Sequence, residues 1–284
     1  MPFDLDADYP LPPDARAAFR RDGFVRLKGV FGAEELNHYA PEITRLTLAF
    51  AKQQRPLAER STYGKAFLQV TNLWEHDGAA RAFVFSKCLA RIAAALLEVD
   101  GVRLYHDQAL VKEPGGGITP AHADQYYWPL ESDRAVTAWV PLQAVPAEMG
   151  PIGFYAGSQR FEIGRDLPIS DESERLIGAE MERHGFPLVD DPFELGEASF
   201  HLGWTFHRAG ANLTTSPRSA MTITYMDKDM RLAAPSAGQH ADREAFCPGV
   251  AVGDVIASPK NPVLWERSSR GSRARQQPHR PAPG

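Results

Sequence analysis

The sequence predicts a mainly β protein with flanking helices, an α+β chain whose later part is a sandwich or jelly roll. Two observations carry that prediction. From Val102 onward, short segments of β-branched and aromatic residues are broken by Gly, Pro and Asn, as strands joined by turns are. Before residue 100, apolar residues recur at helical spacing instead.

Taken in order, residues 13–21 predict a short helix, with Asp14 in its first turn and Gly23 after its last. Residues 24–30 alternate as a strand does. Residues 33–52 repeat Leu36, Tyr39, Ile43, Leu46 and Phe50 along one stripe of a second helix. A third helix over residues 78–98 carries Ala82, Phe85, Leu89, Ile92, Ala93 and Leu96 in the same way. Strands are then expected at 102–106, 109–112, 135–142, 152–155, 198–207 and 220–227. The charged segment 166–191 is too polar for the sheet and is expected to leave it, as insertions that cover a site do.

No internal repeat or Gly/Ser-rich linker divides the 284 residues, so residues 1–267 are read as one domain. Residues 268–284 have no apolar face to bury and are expected to be disordered. A formal net charge of -5 provides no basic surplus for a phosphate backbone, which argues against nucleic acid as a partner. Cys88 and Cys247 are too few for a disulfide framework, and the opening MPFDLDADYPLPPD is acidic where a secretory signal would be basic and then apolar. A reducing cytoplasm is therefore expected. The longest strongly apolar run, 89–97, contains Arg91 and is too short to span a bilayer. Neither a GxGxxG phosphate loop nor a nucleophile signature of the Ser/His/Asp or Cys/His kind is present, which leaves little for nucleotide-binding or hydrolase readings.

His122-Ala-Asp124 sets two ligand-type side chains one residue apart, and the period of two along a strand sends both to one face. That pattern alone is weak and arises by chance in many proteins. It gains weight from His207, which supplies a second imidazole. Two imidazoles and a carboxylate hold one face of a ferrous ion and leave three positions open, two for a chelating 2-oxo acid and one for dioxygen. Arg218 follows eleven residues after His207 (218 minus 207), across the turn-forming Gly210, Asn212, Ser216 and Pro217. This spacing predicts a hairpin with His207 and Arg218 facing one another, where the guanidinium fork grips the far carboxylate of the cosubstrate. His201 competes for the distal ligand position, being six residues earlier with the same strand parity. The turn to Arg218 follows His207 directly, so His207 is preferred and His201 is read as a packed or hydrogen-bonded neighbour.

With these residues in place, the chain resembles the phytanoyl-CoA dioxygenase family of Fe(II)- and 2-oxoglutarate-dependent oxygenases. The resemblance runs through Phe19-Arg-Arg-Asp22-Gly23-Phe24-Val25, Lys112-Glu-Pro114-Gly115 and His122-Ala-Asp124-Gln-Tyr-Tyr-Trp128. It continues in Trp139-Val-Pro141-Leu142, Gly150-Pro-Ile152 and Gly157-Ser158, and ends in the segment from His207 to Arg218. It implies a double-stranded β-helix, a distorted cupin-like jelly roll, with His122, Asp124 and His207 on Fe(II) and Arg218 on 2-oxoglutarate. The chain departs from the family's habit at Met149, Gln159 and Ala209, where Asn, His and Ser are frequent. Related halogenases replace the carboxylate with a small residue to admit chloride, whereas this chain keeps Asp124, which favours hydroxylation.

Further candidates are less constrained. Trp139 and Thr137 share a strand face that would border the cosubstrate, although a tryptophan in a strand is equally a core residue. Gln108 is a candidate cosubstrate contact, with His106 as its rival. For the organic substrate, Gln69, Asn72, Tyr126, Tyr127 and Trp128 offer amides and aromatic faces to a small or mid-sized molecule, unless Trp74 and Trp128 are simply core and the polar residues cap local backbone. The expected activity is hydroxylation of an unactivated C–H bond with release of succinate and CO2. The same cofactors also serve desaturation, cyclisation or epimerisation. A different class of reading is a non-catalytic small-molecule-binding protein in which the three ligands hold zinc or nickel, and Arg218 argues against it.

Overall fold

A computed structural model describes residues 5–53 and 55–268 of the chain. The expected disorder of 268–284 therefore falls, but for Ser268, outside the described residues. Helices α1 (Ala15–Asp22), α2 (Ala33–Phe50), α3 (Thr62–Ala66), α4 (Gly78–Val84) and α5 (Lys87–Leu97) come from the first hundred residues, joined by strands β1 (Phe24–Leu27) and β2 (Leu68–Thr71). Then follow β3 (Gly101–Lys112), β4 (Thr119–His122), β5 (Ala135–Pro141), β6 (Ile152–Tyr155), helix α6 (Asp171–Arg183), β7 (Leu188–Val189), β8 (Ala198–Leu202), β9 (His207–Ala209) and β10 (Arg218–Asp227). Helix α7 (His240–Phe246) and β11 (Val263–Glu266) complete the described elements.

The strands form two antiparallel sheets. The larger has the order β1-β8-β5-β10-β3-β11, with β2 also paired to β3, and the smaller has the order β4-β9-β6-β7. This is the predicted double-stranded β-helix, a mainly antiparallel jelly roll with helices, built here from two open sheets. No helix among the described residues is long and apolar enough to cross a membrane.

The large sheet has two chemically distinct faces because the strand period is two. On β5, Val136, Ala138 and Val140 join a core with Leu36, Ile43, Phe83, Leu89 and Ile92 of α2, α4 and α5. The alternate residues, Thr137 and Trp139, face a cavity instead. On β10, Met221, Ile223 and Tyr225 belong to the helix-side core, whereas Arg218, Thr222 and Thr224 line the cavity. Burying each large aliphatic side chain on the helix side contributes roughly 2 kcal/mol, so the apolar face anchors the sheet while the polar face remains available for chemistry.

Several sequence expectations are corrected by tertiary structure. The single helix expected over 78–98 is broken at Ser86, whose hydroxyl accepts from the Leu89 amide at 3.4 Å and donates to the Leu5 carbonyl at 2.7 Å, starting α5 afresh. The two strands expected at 102–106 and 109–112 are one, β3, because Asp107 is buried within it and accepts from the Leu73 amide at 3.0 Å. The strand expected over 198–207 is two: β8 ends at Leu202, a turn follows, and β9 begins at His207 in the other sheet. The hairpin expected between His207 and Arg218 does not form, since β9 pairs with β4 and β6 while β10 pairs with β3 and β5. Asn212 holds the crossing between sheets, its amide nitrogen donating to the carbonyls of Glu113 at 3.2 Å and Ser216 at 2.8 Å. Segment 166–191 leaves the sheet only in part: it forms α6, packed against β4, and then returns as β7, which pairs with β6 at the edge of the smaller sheet.

Gly150 shows how tightly the strand connections are drawn. Its φ of 70° lies in the left-handed region, and an added Cβ would collide with the main-chain oxygen of Gly210. Gly150→Ala is expected to lower unfolding stability by about 3 kcal/mol in urea titrations, and an unchanged midpoint would refute the close packing of these connections. Burial raises the Asp107 carboxyl to about 7. Between pH 4 and 7 the folded protein therefore holds a proton that the unfolded chain has released, so this group's contribution to stability falls as pH rises through that window. Asp107→Asn should flatten the pH dependence of the urea midpoint by an amount on the order of 3 kcal/mol relative to the parent protein, and parallel curves for the two proteins would show that Asp107 ionises normally.

Candidate active site

Strand β4 delivers His122 at its last residue, and Asp124 opens the short turn that follows, so the two do not lie on one continuous strand as expected. Extended backbone at Ala123, φ -121° and ψ 128°, nevertheless preserves the alternation that aims both side chains the same way. His207 begins β9 directly opposite His122 in register. The Oδ1 atom of Asp124 is 3.5 Å from His122 Nε2 and 3.6 Å from His207 Nε2, and the ligand atoms of the three residues lie within 4.8 Å of one another.

Main-chain carbonyls fix the orientation of both rings. His122 Nδ1 donates to the Pro120 carbonyl at 2.7 Å, and His207 Nδ1 donates to the Thr205 carbonyl at 3.0 Å. Each Nε2 is thereby turned toward Asp124 as the nitrogen available to a metal. Burial, followed by the neighbouring His122, draws the His207 imidazole down to about 3, which keeps it neutral. Burial pushes the Asp124 carboxyl up, but His207, His122 and His201 outweigh it and hold this group well below the usual carboxylate range. The outer oxygen, Oδ2, accepts from Thr137 Oγ1 at 3.3 Å and pairs with His201 Nε2 at 3.2 Å. Thr137 in turn bonds Thr224 at 3.1 Å. An N,N,O donor set converging with its tautomers fixed fits a divalent iron centre with open positions.

These residues line a cavity of about 420 Å³ between the two sheets. Arg218, fully buried in its wall, donates to the Gly150 carbonyl at 2.6 Å, while its Nε has no partner. Burial alone draws its guanidinium down to about 10, with no carboxylate opposing the shift. Trp139 lies beneath it, the guanidinium carbon 5.4 Å from the ring centroid. A desolvated cation with a spare donor fits the far carboxylate of 2-oxoglutarate.

Gln108, its rival His106, Gln69, Tyr127 and Trp128 all reach the cavity, as do Thr137 and Trp139. Asn72 does not: it is buried on the left-handed turn after β2, φ 51°, with its amide bonded to the Asp107 carbonyl at 2.9 Å. Of the departures from the family pattern, Gln159 donates to the carbonyls of Arg20 at 3.0 Å and Arg21 at 3.2 Å, while Ala209 faces the cavity without a hydroxyl. Sequence reasoning missed Tyr63 and Asp242, which line the cavity from short helices that carry no motif. It also gave no role to Lys112, a register partner of Arg218, whose ammonium burial and the Arg218 charge draw down to about 6. A cross-strand pairing of Lys112-Glu-Pro with the Arg218 strand was the signal available for it.

Comparison with known proteins agrees with this geometry. A structure of the α-ketoglutarate-dependent epimerase SnoN from nogalamycin biosynthesis, in complex with Fe3+, α-ketoglutarate and nogalamycin RO, is 27% identical with a TM-score of 0.73, covering 88% of this chain and 97% of that one. The α-ketoglutarate-dependent carbocyclase SnoK from the same biosynthesis shares the fold at 24% identity and a TM-score of 0.71, over 93% of this chain and 99% of that one. EctD from S. alaskensis, with 2-oxoglutarate and 5-hydroxyectoine, shares it at 20% identity and a TM-score of 0.62, over 83% and 84%. No curated protein sequence matches the chain. The family model described as phytanoyl-CoA dioxygenase (PhyH) matches residues 19–220, and the chain belongs to this family of 2-oxoglutarate-dependent non-haem iron enzymes.

Proposed function

We propose that the protein oxidises a C–H bond of a small or mid-sized metabolite by hydroxylation, with His122, Asp124 and His207 holding Fe(II) and Arg218 holding the distal carboxylate of 2-oxoglutarate. The observation that carries this reading is the pairing, in one cavity, of a converging His-Asp-His set with a buried guanidinium that has no acidic partner. When bound, the iron and its cosubstrate couple decarboxylation of 2-oxoglutarate with dioxygen to attack on the substrate, yielding succinate and CO2.

The chain's own residues do the rest. Thr137 and His201 fix the outer oxygen of Asp124, which leaves the inner oxygen facing the two imidazoles. The Pro120 and Thr205 carbonyls hold each ring in its ligand tautomer. Trp139 and Gly150 orient the Arg218 fork, so the dicarboxylate binds in one direction. Aromatic side chains of Tyr63, Phe67, Tyr127 and Trp128 wall the remaining space and exclude water from it.

Epimerisation is the second reading, favoured by the 27% identity to the epimerase SnoN. The two differ in what returns to the substrate carbon after hydrogen removal: an oxygen, or a hydrogen on the opposite face.

His122→Ala and Asp124→Ala are each expected to lower succinate formation by at least about a thousandfold and to abolish the visible charge-transfer band that Fe(II) and 2-oxoglutarate give under argon. Undiminished turnover in both variants would defeat the ligand assignment. Arg218→Ala should raise the apparent KM for 2-oxoglutarate by about a hundredfold, consistent with loss of a bidentate charged bond, with Arg218→Lys intermediate; an unchanged KM removes Arg218 from the cosubstrate site. His201→Ala should weaken iron binding by about 10–100-fold in a chelator competition, and a complete loss there would make His201 a ligand rather than a support.

A further inference from the structure

The cavity lining contains one carboxylate besides Asp124, and neither the metal set nor the cosubstrate clamp uses it. Asp242, in the first turn of α7, lines the cavity together with Thr137 and Thr222 of the large sheet. Arg208, the other cation in the lining besides Arg218, is paired with Glu174 at 2.7 Å. Arg218 is held at the far end. Its register partner on β3 is Lys112, whereas α7 packs on β3 at His106, with Phe246 and His106 rings 4.4 Å apart, six residues away (112 minus 106). Among the described residues that line the cavity, Arg208 and Arg218 are the only arginines or lysines, and Arg243, next to Asp242 on α7, is not in the lining.

The cavity that Asp242 lines is rich in aromatic side chains: Tyr63, Phe67, Tyr127 and Trp128 line it too, and Tyr63 and Tyr127 are close enough to feel the Asp242 charge. The Tyr127 hydroxyl is already committed, accepting from the Ile169 amide at 2.8 Å, and the Tyr63 hydroxyl lies 3.3 Å from the Gln69 side-chain oxygen. A carboxylate in a cavity walled largely by aromatic side chains is chemically matched to an organic cation, which can gain both an ion pair and cation–π contacts there. A neutral substrate would leave this carboxylate without a partner, and an anionic one would be repelled by it. Consistent with an unmet partner, burial first and then the Asp124 charge push the Asp242 carboxyl up to about 7.

We propose that Asp242 selects a substrate bearing a protonated or quaternary amine, which it binds at the α7 end of the cavity while the carbon to be oxidised faces the His122, Asp124 and His207 set. This inference rests on the proposed function only in taking the cavity as the substrate site. It concerns a residue that touches neither the metal set nor the cosubstrate clamp.

The test uses three ligands that share a ring and differ in charge: benzylammonium, benzyl alcohol and benzoate. Their binding is measured by NMR titration at pH 8, with the protein loaded with Fe(II) and 2-oxoglutarate under argon and, separately, without them. The parent protein should bind benzylammonium at least tenfold more tightly than benzyl alcohol, and benzoate least well, in both states. Asp242→Asn should remove that preference while leaving the Fe(II)/2-oxoglutarate charge-transfer band unchanged. Equal affinities for the cation and the alcohol in the parent protein would overturn the proposal without recourse to any variant, as would a preference that survives Asp242→Asn or Asp242→Ser. Failure of the iron and cosubstrate reading would appear elsewhere, as a missing charge-transfer band in the parent protein, and the unloaded titration would still report on Asp242.

Discussion

A guanidinium buried without a carboxylate beside it is the constraint around which the rest of this structure is arranged. Arg218 is shut into the wall of the cavity with one carbonyl bond and a free Nε. Burial and then the Arg218 charge draw the ammonium of Lys112, its register partner on the adjacent strand, down to about 6, so the pair carries one full positive charge near neutral pH. Leaving such charge desolvated opposes folding by several kcal/mol unless a ligand completes it. The apolar helix-side core has to support this arrangement, and the close approach of Gly150 to Gly210 holds the accepting carbonyl in place. On the proposed assignment of Arg218, a dicarboxylate in the cavity would satisfy the cation and so couple cosubstrate binding to the stability of the fold.

That coupling is possible because each strand of the large sheet presents two unlike faces. Val136, Ala138 and Val140 bind the sheet to α2, α4 and α5, and their alternates Thr137 and Trp139 are free to serve chemistry. One rigid element thus fixes the outer oxygen of Asp124 through Thr137 and the guanidinium of Arg218 through Trp139. Sites held on strands in this way keep their geometry better than sites held on loops. The three ligands, by contrast, come from the smaller sheet and its adjoining turn, so the site depends on how the two sheets face one another.

What the sequence made legible follows from the range of the interactions involved. The alternation of β5, β6 and β10 and the stripe of α2 are local patterns, and their elements appear within a few residues of expectation. His122, Asp124 and His207 could be singled out because ligand chemistry restricts the residue types, and the structure brings them together, with Arg218 in the same cavity. The hairpin between His207 and Arg218 was misread because turn residues report that the chain reverses, not which sheet it enters. The break at Ser86 was hidden by an apolar stripe that continues in phase, although Ser at a helix start was a usable signal. Asn72 read as a substrate contact from its polarity, yet it serves the backbone of a left-handed turn. Asp242 and Tyr63 were invisible, since a short helix announces neither which side it turns inward nor what it covers.

The charges in the cavity also bear on how an oxidant would be kept to one substrate carbon. Arg218 stands at the Lys112 end of β3, whereas α7, which carries Asp242, packs at the His106 end, the level at which Thr137, bonded to Thr224, meets Asp124. A dicarboxylate placed in the wrong half would meet Asp242, and a cation placed in the wrong half would meet Arg218, so each misplacement carries a like-charge penalty in a low-dielectric space. Orientation is then enforced by repulsion as well as attraction. Because the aromatic walls have no fixed hydrogen-bonding pattern, they can adapt to the shape of the carbon skeleton while the two charged ends hold its direction. The outcome at that carbon, oxygen insertion or return of hydrogen from the other face, would then be set by which side of the skeleton this charge axis turns toward the metal set.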